Sequence, residues 1–166
     1  MNGTNPNWVA RTKQLNYSGT WSFTNPMGLN SETLTAPMTL NVTFGKGGKN
    51  WLPYTAKSVI DYSGYKQEST GTGVTGSSGQ YWIDPKGLAA LKKGQVIDTD
   101  PHTQEELVVQ SIQKNTTVKT VVISSELPGN KSLLSYDLTT GALVDFQTTS
   151  SGTGVTILLR LLSPPH

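Results

Sequence analysis

The chain has 166 residues and no cysteine, so its fold owes nothing to disulfides and thiolate chemistry, zinc ligation included, is excluded. Thirteen Lys and Arg against eleven Asp and Glu leave a net charge of +2, with basic residues scattered singly except at Lys92-Lys93. That distribution offers no stripe for a phosphate backbone and argues against nucleic acid as a partner.

No apolar run approaches the ~20 residues that span a bilayer. The length supports one domain over residues 1–166, burying roughly 70% of the surface of its unfolded form. Residues 6–14, PNWVARTKQ, form a loop or weak helix by propensity. Strands are predicted where short runs rich in β-branched and aromatic residues lie between Gly, Asn, Pro and Asp: TWSFT at 20–24, TLNVTF at 39–44, VKTVVIS at 118–124, ALVDF at 142–146 and VTILLRLL at 155–162. Between the first pair and the rest stands IDPKGLAALKKG, residues 83–94. Asp84 can cap, Pro85 suits the first helical position, Leu88 and Leu91 share a face, Lys92 and Lys93 sit in the last turn and Gly94 stops it, which predicts one helix of two to three turns. Thr139-Thr140-Gly141 reads as a hairpin turn in which glycine supplies a positive φ.

The pentapeptide GTGVT occurs at 71–75 and again at 152–156. Its flanks also align: Leu52 and Tyr54 fall on Leu134 and Tyr136, Tyr65, Gln67 and Ser69 on Phe146, Thr148 and Ser150, and Gly47 of the turn GKGGKN on Gly129 of LPGNKS. The alignment predicts two diverged copies of one unit, residues 1–80 and 81–160. With short connections the strands should be antiparallel neighbours. The expected fold is mainly β: a curved antiparallel sheet of about eight to ten strands, half-barrel or barrel, with the short helix over one mouth or the open face. Such a sheet with a covering helix resembles the half-barrel carriers of lipoproteins and lipids in bacterial envelopes; no functional residue is carried over from them.

Groups for catalysis are scarce. The two histidines are His102, in the turn sequence TDPHTQEE, and His166 at the end, which leaves no triad, His pair or HExxH spacing. Asp98, Asp100, Glu105 and Glu106 lack the glycine and ligand spacing of an EF-hand and read as a solvated hairpin tip. A glycan hydrolase would need a carboxylate pair in a cleft, from candidates such as Asp61, Glu68, Glu126 and Asp145. STGTGVTGSSG, residues 69–79, has neither the Lys of a phosphate loop nor the following helix of a dinucleotide site, so no cofactor is expected. No catalytic residue and no metal ligand is assigned.

Aromatic residues are the remaining resource. Trp21 and Trp82, in alternating patterns, read as core, and Trp51, beside GKGGKN, as exposed. Trp51, Tyr54, Tyr81, Trp82 and Tyr136 are the candidates to line a ligand-binding concave face, which should hold a cavity above ~300 Å³. Charged residues make up 14% of the chain, against ~25% in ordinary soluble domains, while Ser and Thr number 39. Five N-x-Ser/Thr sequons start at Asn2, Asn16, Asn41, Asn115 and Asn130. These features point to an extracytoplasmic domain, secreted or in the cell envelope, whose targeting segment lies outside this sequence. The expected role is non-enzymatic binding of an apolar or amphiphilic small molecule, with peripheral envelope association; the alternative is a surface structural or adhesion module.

Overall fold

A computed structural model describes residues 5–25, 32–76, 80–114 and 119–165. After one 3₁₀ turn at Asn7–Ala10 the chain forms β1 (Gln14–Thr24), β2 (Thr33–Phe44), β3 (Trp51–Tyr62) and β4 (Tyr65–Gly76). A short helix α1 (Pro85–Ala89) follows, then β5 (Val96–Thr99), β6 (Glu106–Lys114), β7 (Lys119–Leu127), β8 (Asn130–Asp137), β9 (Leu143–Ser150) and β10 (Val155–Leu161). The mainly β expectation holds: the ten strands make one antiparallel sheet in the order β4-β3-β2-β1-β10-β9-β8-β7-β6-β5.

This order is an up-and-down meander whose first and last strands pair, with the opening between β4 and β5. Residues opposite one another in antiparallel ladders share a face, so one rung can be followed across the concave side: Ile60, Met38, Gly19, Leu159, Phe146, Leu134, Ile123. Below it, at the end of the sheet carrying Phe44, Leu52 and Leu143, the concave face is filled. Above it, towards Thr24, Tyr62 and Ser150, no described residue covers it.

The filling comes from the connection between the two edge strands. Residues 81–83 cross under the sheet and add to the start of β9: Ile83 N–H donates to the Gly141 carbonyl, Leu143 N–H to that of Tyr81, and Trp82 bridges Ala142. Trp82 is fully buried, with Trp8 edge-on at 6.1 Å and Phe44 at 5.3 Å. Tyr81 packs edge-on against Phe44 and Tyr54. Burying such side chains contributes about 1.5–3 kcal/mol each. Residues 81–83 thus put three consecutive buried side chains into the core.

The helix begins as its sequence predicts, with the Asp84 carboxylate accepting from Lys86 N–H and Leu88 fully buried, but it ends at Ala89 rather than near Gly94. Leu91 N–H turns to the Leu88 carbonyl, three residues back, and Gly94 N–H bonds the Val109 carbonyl on β6. Burial of Leu91 and the start of β5 pull the chain out of the helix before a second turn forms.

The repeated pentapeptide occupies two different settings. Its first copy lies inside edge strand β4, where Gly73 leaves room for the Tyr54 ring; a side chain there would meet that ring. Its second copy spans the β9–β10 turn, where Gly154 holds a φ of 72°. The aligned flanks place β3 on β8 and β4 on β9, five positions along the sheet.

Candidate functional site

Strand alternation directs the carboxylates considered for catalysis away from the concave face. Glu68 pairs with Lys57 at 3.4 Å and Asp145 with Arg160 at 3.2 Å, both on the convex side. Asp61 accepts from Gly64 N–H in the β3–β4 turn, and Glu126 lies opposite Lys131. Asp100 accepts from the N–H groups of His102 and Thr103, which hold its carboxyl below the usual carboxylate range. Among the described residues no group of three or more His, Asp or Glu could share a metal ion.

The upper concave face is built from two unlike halves. On β1 to β3 it carries Trp21, Phe23, Ile60 and Tyr62, all only part-buried, with Leu34 53% and Tyr65 72% exposed at the rim. Trp21 stacks on Phe23 at 6.3 Å and meets Tyr62 edge-on at 5.3 Å. The alternation in TWSFT puts Trp21 and Phe23 on one face. The Ser63-Gly64 turn, with φ of 51° and 99°, sets Tyr62 opposite Tyr65. On β7 to β9 the same rung continues from Ile157 into Thr148, Ser132 and Ser125. There Ser132 Oγ donates to Thr148 Oγ1 at 3.1 Å, and Ser125 donates to Glu105. The trough is thus aromatic on one flank and hydroxylated on the other.

The residues singled out from sequence sit lower. Tyr81, Trp82 and Tyr136 are buried in the core, and Tyr54 is half-buried over Gly73, in edge-on contact with Tyr81. Trp51 is 45% exposed, but alternation with buried Leu52 places it on the convex side, its indole over Gly48. Four of the five therefore build the floor beneath the trough, and Trp51 lies across the sheet from it. Trp21, read as core, packs against the core cluster but is only part-buried and lines the trough. Its TWSFT alternation was visible; that no described residue crosses over it depends on where residues 81–95 pass, which no local pattern reveals.

Two apolar hollows mark the junction of floor and trough. One, of about 210 Å³, lies among Ile83, Ile97, Leu107, Ile123 and Leu134; the other, of about 90 Å³, lies among Leu40, Leu143, Phe146 and Leu159, and both touch Gln80 and Leu134. Neither reaches the ~300 Å³ of an ordinary enclosed pocket, so a ligand on this face would lie along an open trough rather than inside a closed chamber. Tyrosine hydroxyls brace the floor: Tyr17 donates to the Leu143 carbonyl at 2.8 Å, and Tyr136 to that of Gln80. Burial holds Tyr17 and Tyr136 well above the ordinary phenol range and pushes Tyr81 up to about 12.

The fold and this face define an open, mainly β half-barrel with an amphipathic trough. No protein-family model and no curated protein matches the sequence.

Proposed function

We propose that this is a non-enzymatic, extracytoplasmic domain that holds an apolar or amphiphilic small molecule along the upper half of its concave face. The observation that carries the reading is the division of the trough. An acyl or ring system laid on Trp21, Ile60 and Tyr62 would gain about 0.8 kcal/mol per methylene buried, while a polar end would meet the hydroxyls of Ser132, Thr148 and Ser150. A neutral, Ser- and Thr-rich composition with 14% charged residues supports an exported protein, and an amphiphile as cargo fits peripheral association with an envelope.

Native mass spectrometry of protein purified from its own host without detergent tests this. An added mass of a few hundred daltons, released on denaturation and absent from Trp21→Ala, is the expected result. Protein with no releasable mass would overturn it.

A surface structural module is the second reading, favoured by one observation: the sequon at Asn130 is exposed at the β7–β8 turn. Asn16 and Asn41 lie opposite one another and part-buried, and Asn2 and Asn115 lie outside the described residues. Covalent glycan at Asn130 with no releasable ligand would favour this second role.

A further inference from the structure

The turn GKGGKN takes no part in the trough. It lies at the other end of the sheet, beside a groove of about 740 Å³ between the 3₁₀ turn at Asn7–Ala10 and the β2–β3 connection. The groove's apolar floor is Pro6, Val9, Phe44 and Leu52, and its basic residues are Lys13, Lys46 and Lys49. No carboxylate among the described residues lines it. The two ion pairs among the described residues, Lys57 with Glu68 and Arg160 with Asp145, involve none of these lysines.

The connection carrying Lys46 and Lys49 is held in place. Asn5 N–H donates to the Lys49 carbonyl at 2.8 Å and Asn5 Nδ2 to that of Gly48 at 3.0 Å, while the Trp51 indole lies so close over Gly48 that a side chain there would collide with it. Three cations with no carboxylate partner among the described residues therefore border a preformed apolar groove in a chain whose net charge is only +2. An apolar floor selects a hydrocarbon. A cationic rim with no competing anion selects a negative headgroup, through charge-assisted hydrogen bonds. We propose that this groove is a binding site for a single-chain anionic amphiphile, a carboxylate or phosphate ester on an alkyl chain, separate from the concave trough and not dependent on its role.

The test is equilibrium dialysis of the full chain with dodecanoate below its micellar concentration, with dodecyl maltoside as the uncharged chain and acetate as the chainless anion. Dodecanoate should bind, acetate should not, and the exposed-residue variant K13Q/K46Q/K49Q should bind dodecanoate at least about tenfold more weakly. Dodecyl maltoside binding should be the same for variant and parent, and dodecanoate affinity should fall with added salt. Sedimentation with phosphatidylglycerol vesicles checks the single-chain assignment: dodecanoate binding without co-sedimentation supports it, and co-sedimentation abolished in K13Q/K46Q/K49Q would overturn it in favour of a two-chain membrane lipid. Unchanged dodecanoate affinity in that variant would overturn the proposal. So would loss of dodecanoate binding in Trp21→Ala with K13Q/K46Q/K49Q unaffected, which would assign the ligand to the trough instead.

Discussion

The Tyr136 hydroxyl is bonded twice to one residue, donating to the Gln80 carbonyl at 3.0 Å and accepting from the Gln80 N–H at 3.2 Å. Gln80 holds a φ of 86°, a conformation side chains rarely adopt. The phenol thus pins a strained residue at the point where the chain begins to cross beneath the sheet. Tyr136→Phe should cost about 1–3 kcal/mol. Amide exchange at Tyr81 and Ile83 should accelerate more than in β7. Equal acceleration in both would show that the hydroxyl does not hold the crossing segment in place.

The same buried phenols set an alkaline limit. Unfolded tyrosines ionise near pH 10, whereas Tyr17, Tyr81 and Tyr136 are raised in the fold. The folded state then binds more protons than the unfolded one, so stability is full below about pH 10 and falls as pH rises through the folded values. Denaturation midpoints followed from pH 8 upwards should decline only above about pH 10, with phenolate absorbance from these three residues appearing together with unfolding.

Gly19 stands in the middle of β1, where a side chain would overlap the Leu158 carbonyl of β10. Gly19→Ala should cost more than about 3 kcal/mol by forcing apart these two strands. Gly71→Ala, at a position with open space around it, should change stability by less than about 1 kcal/mol. Urea unfolding of the two variants gives the comparison, and similar losses would mean that β1 and β10 can separate at little cost.

Trp82 and Trp21 separate core from trough. Trp82→Ala should remove about 3–5 kcal/mol, since the ring is fully buried. Trp21→Ala, at a part-buried site, should cost less than half as much while abolishing the releasable ligand mass. Thermal melts with native mass spectra distinguish the two; equal destabilisation would place Trp21 in the core.

Much of the fold was legible locally. Alternation marked the strands around Trp21, Val42 and Val121, and Asp84-Pro85 marked the start of the helix. What escaped were consequences of distant contacts. The helix stopped early because Leu91 is buried and Gly94 N–H bonds Val109 on β6. The twin pentapeptides occupy unlike settings, an edge strand and a turn, and glycine serves each differently: room for Tyr54 in one case, a positive φ at Gly154 in the other. Of the aromatic candidates, Trp82 and Tyr136 face inward and are buried, but inward means core or trough according to where residues 81–95 cross.

The opening of the meander between β4 and β5 also sets the order in which the chain can mature. Tyr17 faces Leu161 across a central ladder, so the first strand made must wait for the last, and β1 keeps one side unpaired throughout that interval. Loop closure over nearly the whole length is entropically costly and slow. The concave face is therefore complete only once β10 has docked on β1.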